Sequence, residues 1–584
     1  MTVARVLPDL RGIDKTFDYE VPDKLGDLVR VGSLVRVDLH GRRVGAWVVA
    51  LGVTPPPGVV LKPIARFSSA GPSEEILDLA EWAAWRWAGK PQHFLTTASP
   101  PTVVPALRSP MRPPSRRVAG APVTSIYPHD ELLALPAPAV VRIPPAGDLD
   151  ALVAEVTSAG PTLVVTASIP MARALAASLE RRGLAVARYP RQWSVAAAGA
   201  ADVVVGARAA VWASVPSVAA ILVVDEHDEA HQSESSPTWH ARDVAVERAR
   251  RAGIACVLTS PCPSLDALAH MPTGVGVLAP SRVVERAGWP IVEIVDRSDE
   301  DPRTRSSLVS SALAAVLASD RRVACVLNTK GVARLLACAA CRSIARCETC
   351  DAAVAQRDAT LVCGRCGTTR PVVCTVCGAS RMKNLRPGVS RLRAELGAAT
   401  GGTVAEVTGA SAGTARPTER VCVGTEAVLH QLDSADVVAF LDFDAELLAP
   451  RFRAAEQAMA LLARAARLVG GRASGGRILV QTAVADHPVI AAAALADPGR
   501  LEAPELAQRG ELSLPPVSAL ALISGAGAPD YVSTLRAIVG IEIQGPSDGP
   551  WLVRAASHDA LCDALDATPR PAARLRVEVD PLRI

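Results

Sequence analysis

The sequence predicts a multidomain α/β protein with two parallel-sheet lobes, an inserted zinc module, a small N-terminal β domain and a C-terminal α+β domain. The lobes are indicated by continuous apolar strands such as "AAILVVDE" and "RRVACVLNT", which alternate with helical segments. Runs of this kind are typical of strands that a parallel sheet buries on both faces. The zinc module is indicated by four CxxC pairs within a window of about 40 residues, which interrupts the second lobe.

The composition predicts a soluble, globular protein and argues against a membrane-spanning or secreted one. The chain has 584 residues, enough for several domains, and 49% of them are hydrophobic. No uninterrupted apolar run reaches the roughly 18 residues of a membrane span, and residues 1–10 lack the apolar core of a signal peptide. We therefore expect a cytoplasmic protein with no membrane partner. The net charge of +3 by itself says little about nucleic acid.

The N-terminal part of the chain divides into two regions. Residues 1–68 alternate apolar and polar positions and turn at His40–Gly41, which predicts a β-rich domain with a hairpin. Residues 69–137 contain one clear helix over 73–90 and a Pro-rich stretch over 99–129 with four arginines and no acidic residue. The Pro-rich stretch is interpreted as a flexible linker, and a basic arm that touches DNA is the alternative.

The strand pattern also gives the remaining domain boundaries. Lobe 1 is predicted over 138–270, the connection and the start of lobe 2 over 271–335, the zinc module over 336–382, the rest of lobe 2 over 383–499, and the C-terminal domain over 500–584. The stretch 271–305 is expected to be less ordered than its neighbours. The C-terminal domain is predicted from short strands such as "PWLVRAAS" and "RLRVEVDPL".

The four CxxC pairs are predicted to bind zinc. They are Cys338/Cys341, Cys347/Cys350, Cys363/Cys366 and Cys374/Cys377. Each pair lies on a tight turn that lets two thiolates face one ion at about 2.3 Å, so two tetrahedral sites use all eight ligands. A disulfide framework fits poorly, because a long chain without a signal peptide does not need covalent cross-links. The window is polar and Gly-rich, so bound metal is expected to supply its folding energy.

A pair of acidic residues follows one apolar strand of lobe 1. In motors with two α/β lobes, Asp-Glu at this place holds Mg²⁺ and orients the water that attacks a nucleoside triphosphate. Asp225 and Glu226 in "VVDEHDEAH" occupy that place. Acidic residues often follow strands for structural reasons, so the text alone leaves both interpretations open.

Taken in order, the motifs of this chain resemble those of the primosomal protein N′ (PriA) family. They include "FDYEVP", "GARAAVWA", "VVDEHDEAHQ", "TSPCPS", "LNTKG", the cysteine module, "VGTEAVLHQLDSADVVAFLDFD" and "SLPPVSALALISG", and they span nearly the whole chain. The resemblance implies RecA-like lobes and a nucleoid-associated protein that binds abandoned or stalled forks, their 3′ ends and branched DNA. It also implies a scaffold that reloads the replicative helicase. Implied partners are that helicase, its loader or other primosome proteins, and single-stranded DNA-binding protein.

The resemblance also implies roles for individual residues. Phe17, Asp18 and Tyr19 match residues that capture a DNA 3′ end, where a carboxylate accepts from the 3′-hydroxyl and a ring stacks on the base. Without the resemblance, the two rings would be interpreted as core residues of a strand. The family pairs the outer two CxxC motifs on one ion and the inner two on the other. The first zinc then has Cys338, Cys341, Cys374 and Cys377, and the second has Cys347, Cys350, Cys363 and Cys366.

The chain departs from the family in its motor motifs. A phosphate loop needs amide donors and a lysine, but this chain has "VVRIPPAGDLDALVAE" there and no lysine between Pro91 and Thr329. His227 falls one position early, and the two arginines of the last motif fall on Leu468 and Gly471. The winged-helix region within 69–137 is short and degenerate.

These departures favour a protein without its own ATP hydrolysis or unwinding. Asp225 and Glu226 are then a degenerate remnant at the end of a strand, and binding of ATP and Mg²⁺ is left open. The alternative is a DNA-dependent ATPase and 3′→5′ DNA helicase with an atypical nucleotide site. A third alternative is a zinc-ribbon interaction protein unrelated to forks.

Overall fold

The computed structural model describes most of the chain. The described residues are 2–10, 12–58, 60–107, 127, 138–272, 274–298, 307–328, 336–341, 343–384, 389–407, 417–546 and 549–584. Most of the predicted Pro-rich linker and the last three residues of "LNTKG" lie outside these ranges. Among the described helices, none is both long and apolar enough to cross a membrane.

The N-terminal domain is a five-stranded antiparallel sheet. Its strands are β1 (Thr2–Pro8), β2 (Phe17–Val21), β3 (Leu34–Leu39), β4 (Arg42–Leu51) and β5 (Arg66–Ser69), in the order β2-β1-β4-β3-β5. The hairpin between β3 and β4 turns at His40 and Gly41, which have φ of 48° and 77°. Two consecutive residues with positive φ are typical of a two-residue hairpin turn, whose twist suits the flanking strands.

Two helices follow the sheet, where the sequence predicted one. They are α1 (Glu74–Arg86) and α2 (Pro91–Ala98). The first helix does not continue into the second because Pro91 has no amide hydrogen for a helical hydrogen bond. Proline is favoured at the start of a new helix. Trp87 and Phe94 are fully buried, and the Phe94 ring lies 5.2 Å from the Trp212 ring of the following lobe.

Lobe 1 is a six-stranded parallel sheet with helices around it. Its strands are β6 (Ala139–Arg142), β7 (Thr162–Thr166), β8 (Val186–Arg188), β9 (Val203–Ala207), β10 (Ala220–Val224) and β11 (Ala255–Ser260). Its helices are α3 (Leu149–Thr157), α4 (Ile169–Arg181), α5 (Trp193–Ala197), α6 (Ala241–Ala252) and α7 (Leu265–Ala269). The order is β6-β11-β10-β7-β9-β8, and every residue of β7 and β10 is buried, as the continuous apolar runs predict.

Lobe 2 has the same architecture and contains the cysteine module as an insertion. The lobe begins with α8 (Arg282–Gly288), β12 (Ile291–Asp296), α9 (Ser311–Leu317) and β13 (Val323–Val326). The module then adds β14 (Leu336–Cys338), β15 (Val354–Arg357), β16 (Thr360–Cys363), β17 (Thr369–Pro371) and β18 (Met382–Asn384). The lobe resumes with α10 (Val389–Thr400), β19 (Val404–Val407), β20 (Val421–Gly424), α11 (Ala427–Gln431), β21 (Val437–Phe440), α12 (Asp444–Leu447), α13 (Ala454–Val469) and β22 (Arg477–Thr482).

The six strands of lobe 2 outside the module form a parallel sheet in the order β12-β22-β21-β13-β20-β19. The expectation of a less ordered stretch over 271–305 is wrong for α8 and β12. The edge strand β12 was missed because it alternates exposed and half-buried residues instead of forming a buried apolar run.

The C-terminal domain is an antiparallel sheet with two helices, and it docks onto lobe 1. Helices α14 (Pro488–Ala494) and α15 (Glu502–Glu511) lead to β23 (Ala519–Ser524), α16 (Ala528–Leu535), β24 (Ile541–Gln544), β25 (Trp551–Ala555), α17 (His558–Ala567) and β26 (Arg576–Val579). The strand order is β24-β25-β23-β26. The Ser236 and Thr238 hydroxyls of lobe 1 donate to the carbonyls of Val577 and Val579 on the edge strand β26, at 2.8 and 2.7 Å. The predicted fold class is confirmed.

Arg86 joins three parts of the molecule, and its loss should be costly. Its guanidinium lies 2.7 Å from Asp580 of the C-terminal domain and 4.0 Å from Asp243 of lobe 1. We expect Arg86→Ala to destabilise the protein by about 3–5 kcal/mol, because the buried Asp580 carboxylate loses its guanidinium partner. Equilibrium urea unfolding measures the loss. The exposed pair of Arg43 with Asp38 gives the control, since Arg43→Ala should cost no more than about 1 kcal/mol.

Candidate metal centres, DNA 3′-end site and interlobe cleft

The eight cysteines of the module lie in two groups of four. One group is Cys338, Cys341, Cys374 and Cys377, and the other is Cys347, Cys350, Cys363 and Cys366. Within each group all the sulfurs lie within 4.8 Å of one another, so each group could hold one metal ion. The grouping is the nested one, because the module folds back on itself and brings its outer CxxC turns together.

The donor sets suit a metal that prefers thiolates. The amides of Ala340, Thr349 and Arg365 each donate to the sulfur of the cysteine two residues earlier, at 3.4 Å. Amide donors of this kind stabilise the negative charge of a thiolate. All thirteen cysteines of the chain are free of disulfides. Four thiolates in a tetrahedral arrangement fit Zn²⁺.

The two cysteine groups differ in their surroundings. Cys347, Cys350 and Cys363 are buried in a small apolar core with Val354 and Leu361. The part of the module that holds the inner group also docks onto lobe 2, where the Ala353 amide donates to the Leu448 carbonyl at 2.7 Å. In the outer group, by contrast, two of the four cysteines are exposed. The inner group is therefore part of the protein body, and the outer group faces solvent.

The predicted 3′-end residues lie on strand β2 but point in two directions. Successive side chains of a strand face opposite sides of the sheet. Tyr19 is 4% exposed in the core of the N-terminal domain, its hydroxyl donates to the Asp38 carbonyl at 3.0 Å, and burial raises its pKa. Phe17 packs on the same core and is half-buried. Of the two rings predicted for the 3′-end site, that of Tyr19 lies in the core and that of Phe17 keeps an accessible surface.

Asp18 lies on the other face of β2 and is paired with an arginine. Arg5 is its register partner on β1 and donates twice to its carboxylate, Nε to Oδ1 at 2.8 Å and Nη2 to Oδ2 at 3.0 Å. The Asp18 side chain is 7% exposed and that of Arg5 is 39% exposed. Sequence reasoning missed Arg5, although residues that face each other in adjacent strands often pair by charge.

The interlobe cleft has a volume of about 1440 Å³, and the acidic motif of lobe 1 lines it. The segment in the place of a phosphate loop is packed into the protein. Pro144 and Pro145 are buried and have no amide hydrogen. The amide of Ala146 donates to the Gly288 carbonyl at 3.1 Å, and that of Gly147 donates to the Pro144 carbonyl at 2.8 Å. These amides are therefore used within the protein and do not face the cleft.

Both acidic residues of the motif have partners of their own. Asp225 is 3% exposed and accepts from two guanidinium nitrogens of Arg467, one of them at 2.6 Å. Burial alone would raise the pKa of Asp225, but the Arg467 guanidinium holds it below the usual value. Glu226 is fully buried and accepts from Arg242 at 3.2 Å and from the amide and hydroxyl of Ser264 at 2.8 and 2.7 Å. Burial raises the pKa of Glu226.

Arg467 belongs to a set of interlobe contacts that we call the arginine clasp. The clasp consists of Asp225–Arg467, Asp228–Arg464 at 2.8 Å and Asp266–Arg453 at 3.0 Å. In each pair the acidic residue belongs to lobe 1 and the arginine to α13 or the residue before it. Asp228 is largely desolvated, and the guanidinium of Arg464 more than offsets that effect, lowering its pKa to about 2. The two lobes are thus joined across the cleft by the protein's own charges.

Two arginines of the clasp, Arg464 and Arg467, lie close to Leu468 and Gly471, the positions on which the arginines of the last motif fall. Arg464 and Arg467 are three residues apart and Arg453 lies eleven before Arg464, so all three fall on one face of a helix. That spacing was the available signal. Arg472, which was also near the expected positions, instead donates to the carbonyl of Arg286 at 3.0 Å.

His227 keeps a contact although it falls one position early in the motif. Its Nδ1 lies 2.7 Å from the Ser260 hydroxyl at the end of β11. Burial lowers the pKa of His227 to about 4, so the ring is neutral at pH 7. The ring therefore links the acidic motif to the "TSPCPS" segment without adding charge.

Breaking the clasp at Asp225, its most buried carboxylate, should destabilise the protein. We expect Arg467→Ala to cost about 3–5 kcal/mol, because Asp225 is then buried without a cation. Adding Asp225→Asn to this variant should recover part of the loss, since the amide has no charge to desolvate. Equilibrium denaturation of the single and double variants tests both points. Arg472→Ala is the control, and a loss as large as that of Arg467→Ala would contradict the assignment.

Comparisons with known proteins show what this chain is similar to. The family model of the "3'DNA-binding domain (3'BD)" matches residues 5–100, which reach beyond the predicted boundary at 68 and include α1 and α2. The chain is 30% identical over 532 residues to the "Probable replication restart protein PriA" of Mycobacterium bovis, covering 80% of this chain and 78% of that protein.

A more distant relative is matched over a shorter length. The chain is 24% identical over 404 residues to the "Replication restart protein PriA" of Haemophilus influenzae, covering 63% of this chain and 54% of that protein. Among solved structures, Saccharomyces cerevisiae Dbp5 bound to RNA and ADP BeF3 matches with a TM-score of 0.37 and 11% identity, over 68% of this chain and 98% of that one.

Proposed function

Because this chain belongs to the PriA family of replication restart proteins, we propose that it recognises abandoned or stalled forks and scaffolds the reloading of the replicative helicase. In this proposal it does so without hydrolysing ATP or unwinding DNA itself. The single observation that carries the proposal is the arginine clasp, which occupies the acidic motif of lobe 1 with arginines of lobe 2. The lobes then act as a fixed spacer between the DNA-binding parts.

The argument against hydrolysis is chemical. A phosphoryl-transfer site needs backbone amides and a lysine for the phosphates, a carboxylate for Mg²⁺, and arginines for the charge that develops on the transferred group. Here the amides of Ala146 and Gly147 are used internally, and the lobe 1 residues contain no lysine. The carboxylate of Asp225 and the guanidinium of Arg467 neutralise each other. Each missing group costs orders of magnitude in rate.

The DNA end is proposed to bind at Asp18. Its carboxylate can accept from a 3′-hydroxyl. Phe17, the preceding residue on the other face of β2, is half-buried and is proposed to stack on the terminal base. The proposed partners are forked and branched DNA, the replicative helicase with its loader or other primosome proteins, and single-stranded DNA-binding protein. The proposed place of action is the cytoplasm, at the nucleoid.

The two cysteine groups are proposed to bind one Zn²⁺ each. Zinc would supply the folding energy of the module, whose own apolar core is small. In the inner group it would hold the docking surface against lobe 2.

A DNA-dependent ATPase and 3′→5′ helicase is the second candidate. The observation that favours it is the Asp225–Glu226 pair at the end of β10, beside a cleft large enough for a nucleotide. For this candidate to hold, the clasp must open and Asp225 must leave Arg467.

Turnover and binding on one protein preparation separate the two candidates. We expect the zinc-loaded protein to bind a fork with a free 3′ end, by fluorescence anisotropy, and to show no ATP turnover with or without that fork. DNA-stimulated turnover that Asp225→Ala abolishes would contradict the scaffold and favour the helicase. Failure to prefer a fork over duplex of equal length would contradict both.

Single cysteine substitutions test the two zinc sites. We expect Cys338→Ser and Cys363→Ser each to lose one of two zinc ions per chain, by metal analysis of the purified protein. Cys363→Ser should also lower the melting temperature more, because the inner group is buried and docked on lobe 2. Cys262→Ser lies outside both groups and should keep two ions. Two ions retained by Cys338→Ser would contradict the nested grouping.

A further inference from the structure

We propose that Arg5 is a further residue of the DNA 3′-end site, which orients the Asp18 carboxylate and contacts the last phosphate of the strand. The inference rests on the proposed function, because it assumes that a 3′ end binds at Asp18. It adds a residue outside the "FDYEVP" motif, and it makes a carboxylate–guanidinium pair the recognition unit in place of a lone carboxylate.

The geometry fixes the carboxylate before DNA arrives. The two hydrogen bonds from Arg5 are parallel, with Nε to Oδ1 at 2.8 Å and Nη2 to Oδ2 at 3.0 Å. A bidentate pair of this kind holds the carboxylate plane in one orientation, which a single hydrogen bond or a lysine cannot do. The sheet backbone also fixes the pair, since Arg5 and Asp18 are register partners on the adjacent strands β1 and β2. Each Asp18 oxygen keeps a lone pair for a further donor.

Charge gives the second reason for the pair. The end of a DNA strand is polyanionic, and a lone carboxylate would repel the phosphate next to the terminal sugar. Arg5 neutralises Asp18, so the hydroxyl can donate to the carboxylate without that penalty. The pair offers an acceptor and a cation side by side. This arrangement matches a terminal 3′-hydroxyl and the phosphodiester on the 5′ side of the same sugar.

Exposure assigns the two residues to different groups of the ligand. Asp18 is 7% exposed, so a small donor such as a hydroxyl can reach it. Arg5 is 39% exposed and uses Nε and Nη2 for Asp18. Among the residues that the structure describes, none hydrogen-bonds its Nη1, whose two hydrogens are available to a phosphate oxygen. A 3′-phosphate in place of the hydroxyl would bring a dianion against the Asp18 carboxylate and is expected to bind poorly.

The test compares three forks that differ only at the 3′ terminus: hydroxyl, deoxy and phosphate. Anisotropy titrations of the full zinc-loaded chain give the affinity of each. The wild-type protein is expected to prefer the 3′-hydroxyl fork. Arg5→Ala should weaken binding of that fork by about tenfold and bring it to the level of the 3′-deoxy fork. It should also lower the salt dependence by about 0.7 in the slope of log K against log[salt], the value of one phosphate contact to a single strand.

Further variants separate positioning from general charge. Arg5→Lys keeps the positive charge but cannot make the two parallel hydrogen bonds to Asp18. It should therefore keep most of the salt dependence and lose most of the 3′-hydroxyl preference. Asp18→Ala should lose the same preference, and Arg5→Ala combined with Asp18→Ala should lose no more of it than either single variant. Arg36→Ala removes an exposed arginine of β3 on the same sheet, and should weaken all three forks alike. Thermal melting of each variant shows that the domain is folded.

The outcomes distinguish this inference from the proposal beneath it. If the wild-type protein binds the hydroxyl and deoxy forks equally, the 3′-end site itself is wrong. If the wild-type protein and Arg5→Ala show the same hydroxyl preference while Asp18→Ala loses it, the site stands and the role of Arg5 is wrong. A folded Arg5→Ala variant that weakens all three forks equally also overturns the positioning role.

Discussion

The ion pair between Asp225 and Arg467 sets the relation of the two lobes, and much of the remaining interface follows from it. Asp225 is nearly inaccessible to water, so its charge requires a cation at hydrogen-bonding distance. Arg467 can supply that cation only when α13 lies against the end of β10. This position also brings Arg464 to Asp228 and Arg453 to Asp266. A buried pair of this kind adds little net stability, but removing one partner is costly, so it favours one arrangement over others.

The same helix passes this constraint on to the C-terminal domain. Glu456 of α13 accepts from the amide of Leu265 in lobe 1 at 2.8 Å and also pairs with Arg509, which is fully buried. Arg509 donates in turn to the carbonyl of Pro515 at 3.0 Å, just before the C-terminal sheet. From there Arg86 and Asp580 connect the sheet to the helix that follows the N-terminal domain. Charged contacts thus lie at the cleft, before the C-terminal sheet, and between that sheet and the helix that follows the N-terminal sheet.

Much of the fold could be predicted from the sequence, and physical reasons decide which features could not. The parallel sheets were predictable because continuous apolar runs such as "AAILVV" require burial on both faces, and the cysteine module because CxxC turns have few other uses in such a chain. The partner of Asp18 was not predicted, since Arg5 is thirteen residues away and meets it only through strand register. The burial of Tyr19 follows from the period-two alternation of strand β2. The clasp pairs residues that are 187 to 242 positions apart in sequence, and no local pattern reports such contacts.

The clasp also shows how the two lobes can be joined by the protein's own side chains. In a hydrolysing motor the arginines of lobe 2 meet the phosphates, so the bound nucleotide is the anion that bridges the lobes. In this chain Asp225 and Asp228 are themselves the bridging anions. Asp225 has φ of 56°, a conformation that costs about 1 kcal/mol or more for a residue other than glycine and persists only when its surroundings fix it. The surroundings here are Arg467 on one side and the buried Glu226 network on the other. In the proposed function, a joint of this kind would need no ligand and would hold the lobes in one geometry.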